Sequence, residues 1–210
     1  MLTLGSTASE SLLSKHSSTN FKIQLLMPKK IFQKEAPILR KMAVEISANS
    51  IKSPKIQKII EEMKVALESQ DDGVAIAGPQ IGYPLRIFVV SKRIQDIVKE
   101  SKSELTEDNK KYKTLATTVY INPVIKKISK KKMVVEEGCL SVRYLYGKVS
   151  RSLKATIVAY DENGKKFTRG ATGLLAQIFQ HEVDHLNGIL FIDKAKHIEE
   201  ILPKSVVSSK

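Results

Sequence analysis

"ATGLLAQIFQHEVDHLNG", Ala171 to Gly188, reads as one amphipathic helix. Thr172 stands where an N-cap belongs, and Gly188 where the left-handed residue after a helix belongs. Leu174, Ile178, His181 and His185 fall at i, i+4, i+7 and i+11. One helix face therefore carries two apolar side chains and two imidazoles. Imidazoles one turn apart reach a common ion, and Glu182 lies between them in sequence. An apolar face beside such a pair suits a pocket for an apolar substrate group. Strands precede this helix rather than alternate with helices. The expected fold class is α+β, with antiparallel or mixed β-sheets packed around a central helix carrying the H-E-x-x-H motif.

Working outward, "SPKIQKIIEEMKVALESQ" is a second amphipathic helix, with Ser53 as cap and Pro54 at its first position. Its stripe of Ile56, Ile59, Ile60, Met63, Ala66 and Leu67 is core rather than a cofactor site. "APILRKMAVEIS", Ala36 to Ser47, reads as a short helix or turn. Arg86–Val90 is a buried strand, "TTVYINP" a strand stopped by Pro123, and "KMVVEEGCLS" a strand running into Cys139. Leu153–Ala171 is a hairpin turning at Asn163–Gly164. Lys92–Lys113 is polar and reads as a loop. "KKISKKK", Lys126 to Lys132, has five lysines in seven residues and reads as a hairpin tip. It lacks the interleaved aromatics of a single-strand nucleic-acid groove. In the tail, Pro203 is expected to end a last helix.

Three segments are expected: an extension over 1–28, a catalytic domain over 29–202 and a short tail over 203–210. The extension is rich in Ser and Thr and reads as disordered, as a transit peptide, or as an over-called start with translation beginning at Met27. With 210 residues and 42% hydrophobic content, one domain with a sizeable core is expected. No apolar run is long enough to cross a membrane, so no membrane role is expected. One cysteine excludes an internal disulfide and fits a reducing compartment. The net charge of +13 favours acidic partners, nucleic acid among them, or is a solubilising surface.

Two histidines leave an ion short of a ligand. H-E-x-x-H alone is also the spacing of zincin-like metallopeptidases, in which a further His or Glu follows. His197 lies 12 residues past His185, with Glu199 and Glu200 nearby, and none fits the extended form of that motif. Cys139, in "EEGCLS", is the better candidate. A thiolate and two imidazoles leave a fourth position open for water.

"EGCLS" (Glu137–Ser141) followed by "QHEVDH" (Gln180–His185) resembles peptide deformylase. The family's third block, G-φ-G-φ-A-A-x-Q, is matched upstream by "GVAIAGPQ", Gly73 to Gln80. The resemblance spans roughly 31–195, with Ala75 and Gly78 each standing where the family has another small residue. It implies a hydrolase that removes the formyl group from N-terminal formyl-methionine of nascent polypeptides and releases formate. It implies Cys139, His181 and His185 as metal ligands and Glu182 as general acid–base. Gln80 and the backbone N–H of Leu140 are implied to stabilise the oxyanion. Gly73, Val74, Ala75, Gly138, Leu174 and Ile178 are expected to hold the peptide, and Asp184 and Arg151 to form a supporting ion pair. The implied ion is Fe2+, one per chain, replaceable by Ni2+, Co2+ or Zn2+. A monomer in a bacterial cytoplasm is expected, with ribosome contact through the basic surface. Residues 1–26 leave an organelle open.

Overall fold

The computed structural model describes residues 27–94 and 117–202. The expectations for residues 1–26 and 203–210, and for most of the Lys92–Lys113 loop, fall outside these residues. The described chain is α+β, with two helices and two antiparallel sheets.

The larger sheet has the order β1-β2-β3-β6-β7: β1 is Ala75–Ala77, β2 Ile87–Val90, β3 Thr118–Ile128, β6 Lys154–Tyr160 and β7 Lys166–Thr172. Its central strands are buried on both faces, and alternation sorts their side chains. Ile87, Val89, Val119 and Ile121 point to one side, where they meet Ile56, Ile59, Ile60, Met63 and Leu67 of helix α1, Pro54–Glu68. Phe88, Val90 and Tyr120 point to the other side, where they meet Leu175, Ala176 and Phe179 of helix α2, Gly173–Leu186. Phe88 stacks on Tyr120 with centroids 4.5 Å apart, and Phe179 meets Tyr120 edge-on at 5.2 Å. Burying one such ring contributes about 1.5–3 kcal/mol, so this layer fixes how α2 sits on the sheet.

The smaller sheet has the order β4-β5-β8: β4 is Lys132–Gly138, β5 Leu145–Ser152 and β8 Lys196–Glu200. Among the described residues, β4 and β1 each lie at a sheet edge.

Both helices begin where expected, by different means. Ser53 Oγ accepts from Ile56 N–H at 3.4 Å. Thr172 is the N-cap of α2, but its side chain makes no capping bond, and Gly173 turns the chain out of β7 at φ +53°. At the far end, Gly188 has φ +75°, and a Cβ there would lie 2.7 Å from Arg40 O. Both conformation and close approach demand glycine.

Three expectations need correction. β3 does not stop at Pro123. Its register shifts between Ile121 and Val124, Asn122 takes φ +49°, and the Asn122 carboxamide bonds Ile46 N at 2.8 Å and O at 2.6 Å. A bulge removes the need for the proline's missing N–H. The "KKISKKK" segment is no hairpin tip, because β3 pairs with β6 and β4 with β5. It carries the chain from one sheet to the other. His197 does not precede a last helix but lies in β8, which pairs with β5. Between His185 and β8 lies a 3-10 turn, Phe191–Asp193. β5 and β8 were not anticipated. β8 is exposed throughout and carries no alternating pattern to reveal it.

Candidate metal centre

Cys139 follows the last residue of β4, while His181, Glu182 and His185 lie on α2. The ligand atoms of Cys139, His181 and His185 all fall within 4.8 Å of one another. Cys139 Sγ is 3.2 Å from His185 Nε2. The sulfur also accepts from Ser141 N–H at 3.4 Å and from Gln80 Nε2 at 3.6 Å.

The residues fit a metal on their own chemistry. One soft sulfur and two imidazoles converge, and beside them the buried Glu182 Oε2 has no hydrogen-bond partner among the described residues. An unpartnered polar atom at such depth calls for a ligand.

Glu137 organises the strand side. Arg151 donates to it twice, Nε–Oε1 at 2.7 Å and Nη2–Oε2 at 2.9 Å, and Oε2 lies 3.0 Å from His181 Nδ1. A carboxylate on Nδ1 holds the proton there and leaves Nε2 as the free donor atom. Burial alone would raise the Glu137 carboxyl, but the hydrogen bonds from Arg151 and His181 outweigh it and bring it down to about 2. Burial likewise works to lower His181. The bonds to Cys139 and Glu137 prevail and raise it well above its ordinary value. Glu182 has no such partners, and burial pushes it up to about 7 against the opposing charge of His181. Burial and the charge of His181 lower His185 well below its ordinary value.

Gln80 sits in a 3-10 turn, Gly78–Ile81, directly after β1. Its Oε1 accepts from Ala77 N–H at 2.7 Å, and its Nε2 donates to Ser141 Oγ at 3.1 Å. The amide nitrogen is thereby turned towards Cys139. Arg151 Nη1 meets Asp184 Oδ2 at 2.6 Å, and Lys194 meets the other Asp184 oxygen at 2.6 Å. The β5 arginine thus ties the β4 carboxylate to the last turn of α2.

A cleft of about 290 Å³ opens beside these groups. Gly73, Val74, Ala75, Gln80, Gly138, Cys139, Leu140, Leu174, Ile178, His181 and Glu182 all line it, as anticipated site residues. His185, Arg151 and Asp184 do not line it; His185 reaches the site through its contact with Cys139 Sγ. The walls include two edge strands: among the described residues β1 pairs only with β2 and β4 only with β5. Glu137 and Ser141 were missed. Glu137 had one signal: it precedes Cys139 by two residues along a strand, so both side chains share a face.

Residues 28–200 match the model of the family described as polypeptide deformylase. The chain is 40% identical over 158 residues to the chloroplast and mitochondrial peptide deformylase 1A of Arabidopsis thaliana, covering 75% of this chain and 58% of that protein. It is 38% identical to peptide deformylase 2 of Clostridium acetobutylicum, covering 76% and 89%. The match thus spans little more than half the length of the plant relative. A peptide deformylase of Acinetobacter baumannii solved with Met-Ala-Ser superposes at a TM-score of 0.68, with 28% identity over 81% of this chain and 99% of that one. One from Synechococcus elongatus, solved with actinonin, superposes at 0.65 with 30% identity over 81% and 80%.

Proposed function

The chain belongs to the peptide deformylase family, and on that premise we propose that it is a metal-dependent hydrolase of formyl-methionyl peptides, releasing formate and a free amine. The observation that carries this is the convergence of Cys139, His181 and His185 beside the unpartnered carboxylate of Glu182.

Cys139 Sγ and the two imidazoles would hold the ion. The ion supplies Lewis acidity and water at a usable pKa near neutrality. We assign Fe2+ as the native ion, with Ni2+, Co2+ or Zn2+ as substitutes. A thiolate beside iron makes the centre oxygen-sensitive through Cys139. Glu182 takes the proton of the attacking water and returns one to the leaving amine. Burial raises the proton affinity of this carboxyl, which favours both steps. Gln80 Nε2, already oriented by Ala77, and the Leu140 N–H donate to the oxyanion that forms on the formyl oxygen.

The peptide lies extended between the edges of β1 and β4, bonding to the Gly73–Ala75 backbone and to Gly138. A Cβ at Gly138 would come within 2.7 Å of the Tyr146 ring, so that wall has no room for a side chain. The methionine side chain packs on Val74, Leu174 and Ile178, whose apolar surface tolerates no charge. Ala75 is buried and lines the cleft on the β1 side.

The zincin-like alternative has no support from geometry, since His197 is exposed on β8, away from the cleft. We further assign a monomer acting on nascent chains, with the basic surface contacting the ribosome. The relatives include bacterial and organellar proteins, and we assign this chain to a bacterial cytoplasm. No helix among the described residues is long and apolar enough to cross a membrane. The test is formate release from formyl-Met-Ala-Ser by anaerobically purified protein loaded with Fe2+ or Ni2+. Activity that collapses in Glu182→Ala with metal retained supports the assignment. No formate from metal-loaded, folded protein overturns it.

A further inference from the structure

The mouth of the cleft carries a charge arrangement that the reaction above does not use. Arg143 lies four residues past Cys139 on one wall. Asp72 and Gln70 lie in the turn before β1, on the other. Arg143 Nη1 meets Asp72 Oδ2 at 2.5 Å, and Nη2 donates to Gln70 Oε1 at 2.8 Å. Both ends are anchored. Arg143 N–H donates to Gln33 Oε1 at 3.4 Å, and the Gln70 carbonyl accepts from Arg93 Nη1. The Arg143 side chain stays 28% exposed, and Asp72 and Arg143 both line the cleft.

We propose that Arg143, held across the cleft mouth by Asp72 and Gln70, is a specificity-determining residue that selects a carboxylate side chain immediately after the methionine. The proposal rests on the deformylase reading. With the formyl group at Cys139 and Glu182 and the methionine on Leu174 and Ile178, the chain runs on between Gly73 and Gly138. Each further residue advances it about 3.3 Å, which brings the next side chains to the mouth. A guanidinium has five N–H donors, and Asp72 and Gln70 take two. A substrate carboxylate finds the remainder already oriented, whereas an ammonium meets a like charge. Asp72 competes with that carboxylate and so restrains the preference.

The test compares kcat/KM for formyl-Met-Glu-Ser-amide and formyl-Met-Lys-Ser-amide, the amides removing the terminal carboxylate. The metal-loaded protein is expected to favour Glu by about fivefold, the scale of a partly exposed charge pair. Arg143→Gln should bring the ratio near unity, Arg143→Lys should retain part of it, and Asp72→Asn should raise it. A merely structural role would change both substrates alike. A ratio unchanged in Arg143→Gln overturns the proposal. If that variant does not fold, a ratio in Asp72→Asn that stays level or falls overturns it instead. Absence of any formate from the parent protein counts against the deformylase reading, whereas an unchanged ratio in an active enzyme counts only against Arg143.

Discussion

The end of β4 and the middle of α2 each place one glutamate against the same histidine pair, and the two are equally buried, Glu137 at 4% and Glu182 at 3% exposure. Their environments are opposite. Glu137 receives two bonds from Arg151 and one from His181, and its carboxyl is held near 2. Glu182 has an oxygen with no partner, and its carboxyl is pushed to about 7. Burial raises both, and for Glu137 the partners outweigh it. A permanently charged carboxylate can orient an imidazole but cannot exchange protons near neutrality. An unpartnered one can exchange them but orients nothing. On the proposed reaction, the two regions would divide positioning from proton transfer between residues of the same type.

The largest effect expected tests that division directly. Glu182→Gln should lower kcat by about 10²–10⁴-fold with metal content and fold unchanged, read as formate release beside metal analysis. A comparable loss of activity from Glu137→Gln at full metal occupancy would erase the distinction. Next comes Arg151→Ala, which strands the Glu137 charge in the interior. Urea unfolding should show a loss of about 3–5 kcal/mol, and metal content should fall. Stability and metal content both unchanged would refute the positioning role of the Arg151 network. Glu137→Gln should weaken metal affinity by about 10–100-fold, because His181 Nδ1 loses its anionic partner. Competition with a chromophoric chelator measures it. The smallest effect sharpens the contrast. The Glu137→Leu, Arg151→Met pair should recover most of the stability lost in Arg151→Ala, ending within about 1–2 kcal/mol of the parent, since no buried charge is left unpaired. Metal affinity should stay weak. Denaturation of all three variants side by side separates the two quantities.

How much was readable depended on the kind of pattern each element carries. α1 and α2 were legible because their apolar residues repeat at helical period with capping residues at the ends. The β6–β7 hairpin was legible from Asn163–Gly164. β3 was cut short because a proline signal is local, while the Asn122 bulge that accommodates it depends on Ile46, distant in sequence. β8 stayed hidden because an exposed edge strand needs no alternation, only backbone bonds to β5.

The sequence by itself determined the donor types, their spacing on α2 and the apolar face beside them, because a helix converts sequence offsets directly into side-chain proximity. Only the tertiary structure decided which glutamate is paired and which is not. It also decided that two sheet edges face one cleft and that Asp72 and Arg143 meet across its mouth. Those outcomes rest on contacts between segments far apart in the chain, and no local period encodes them.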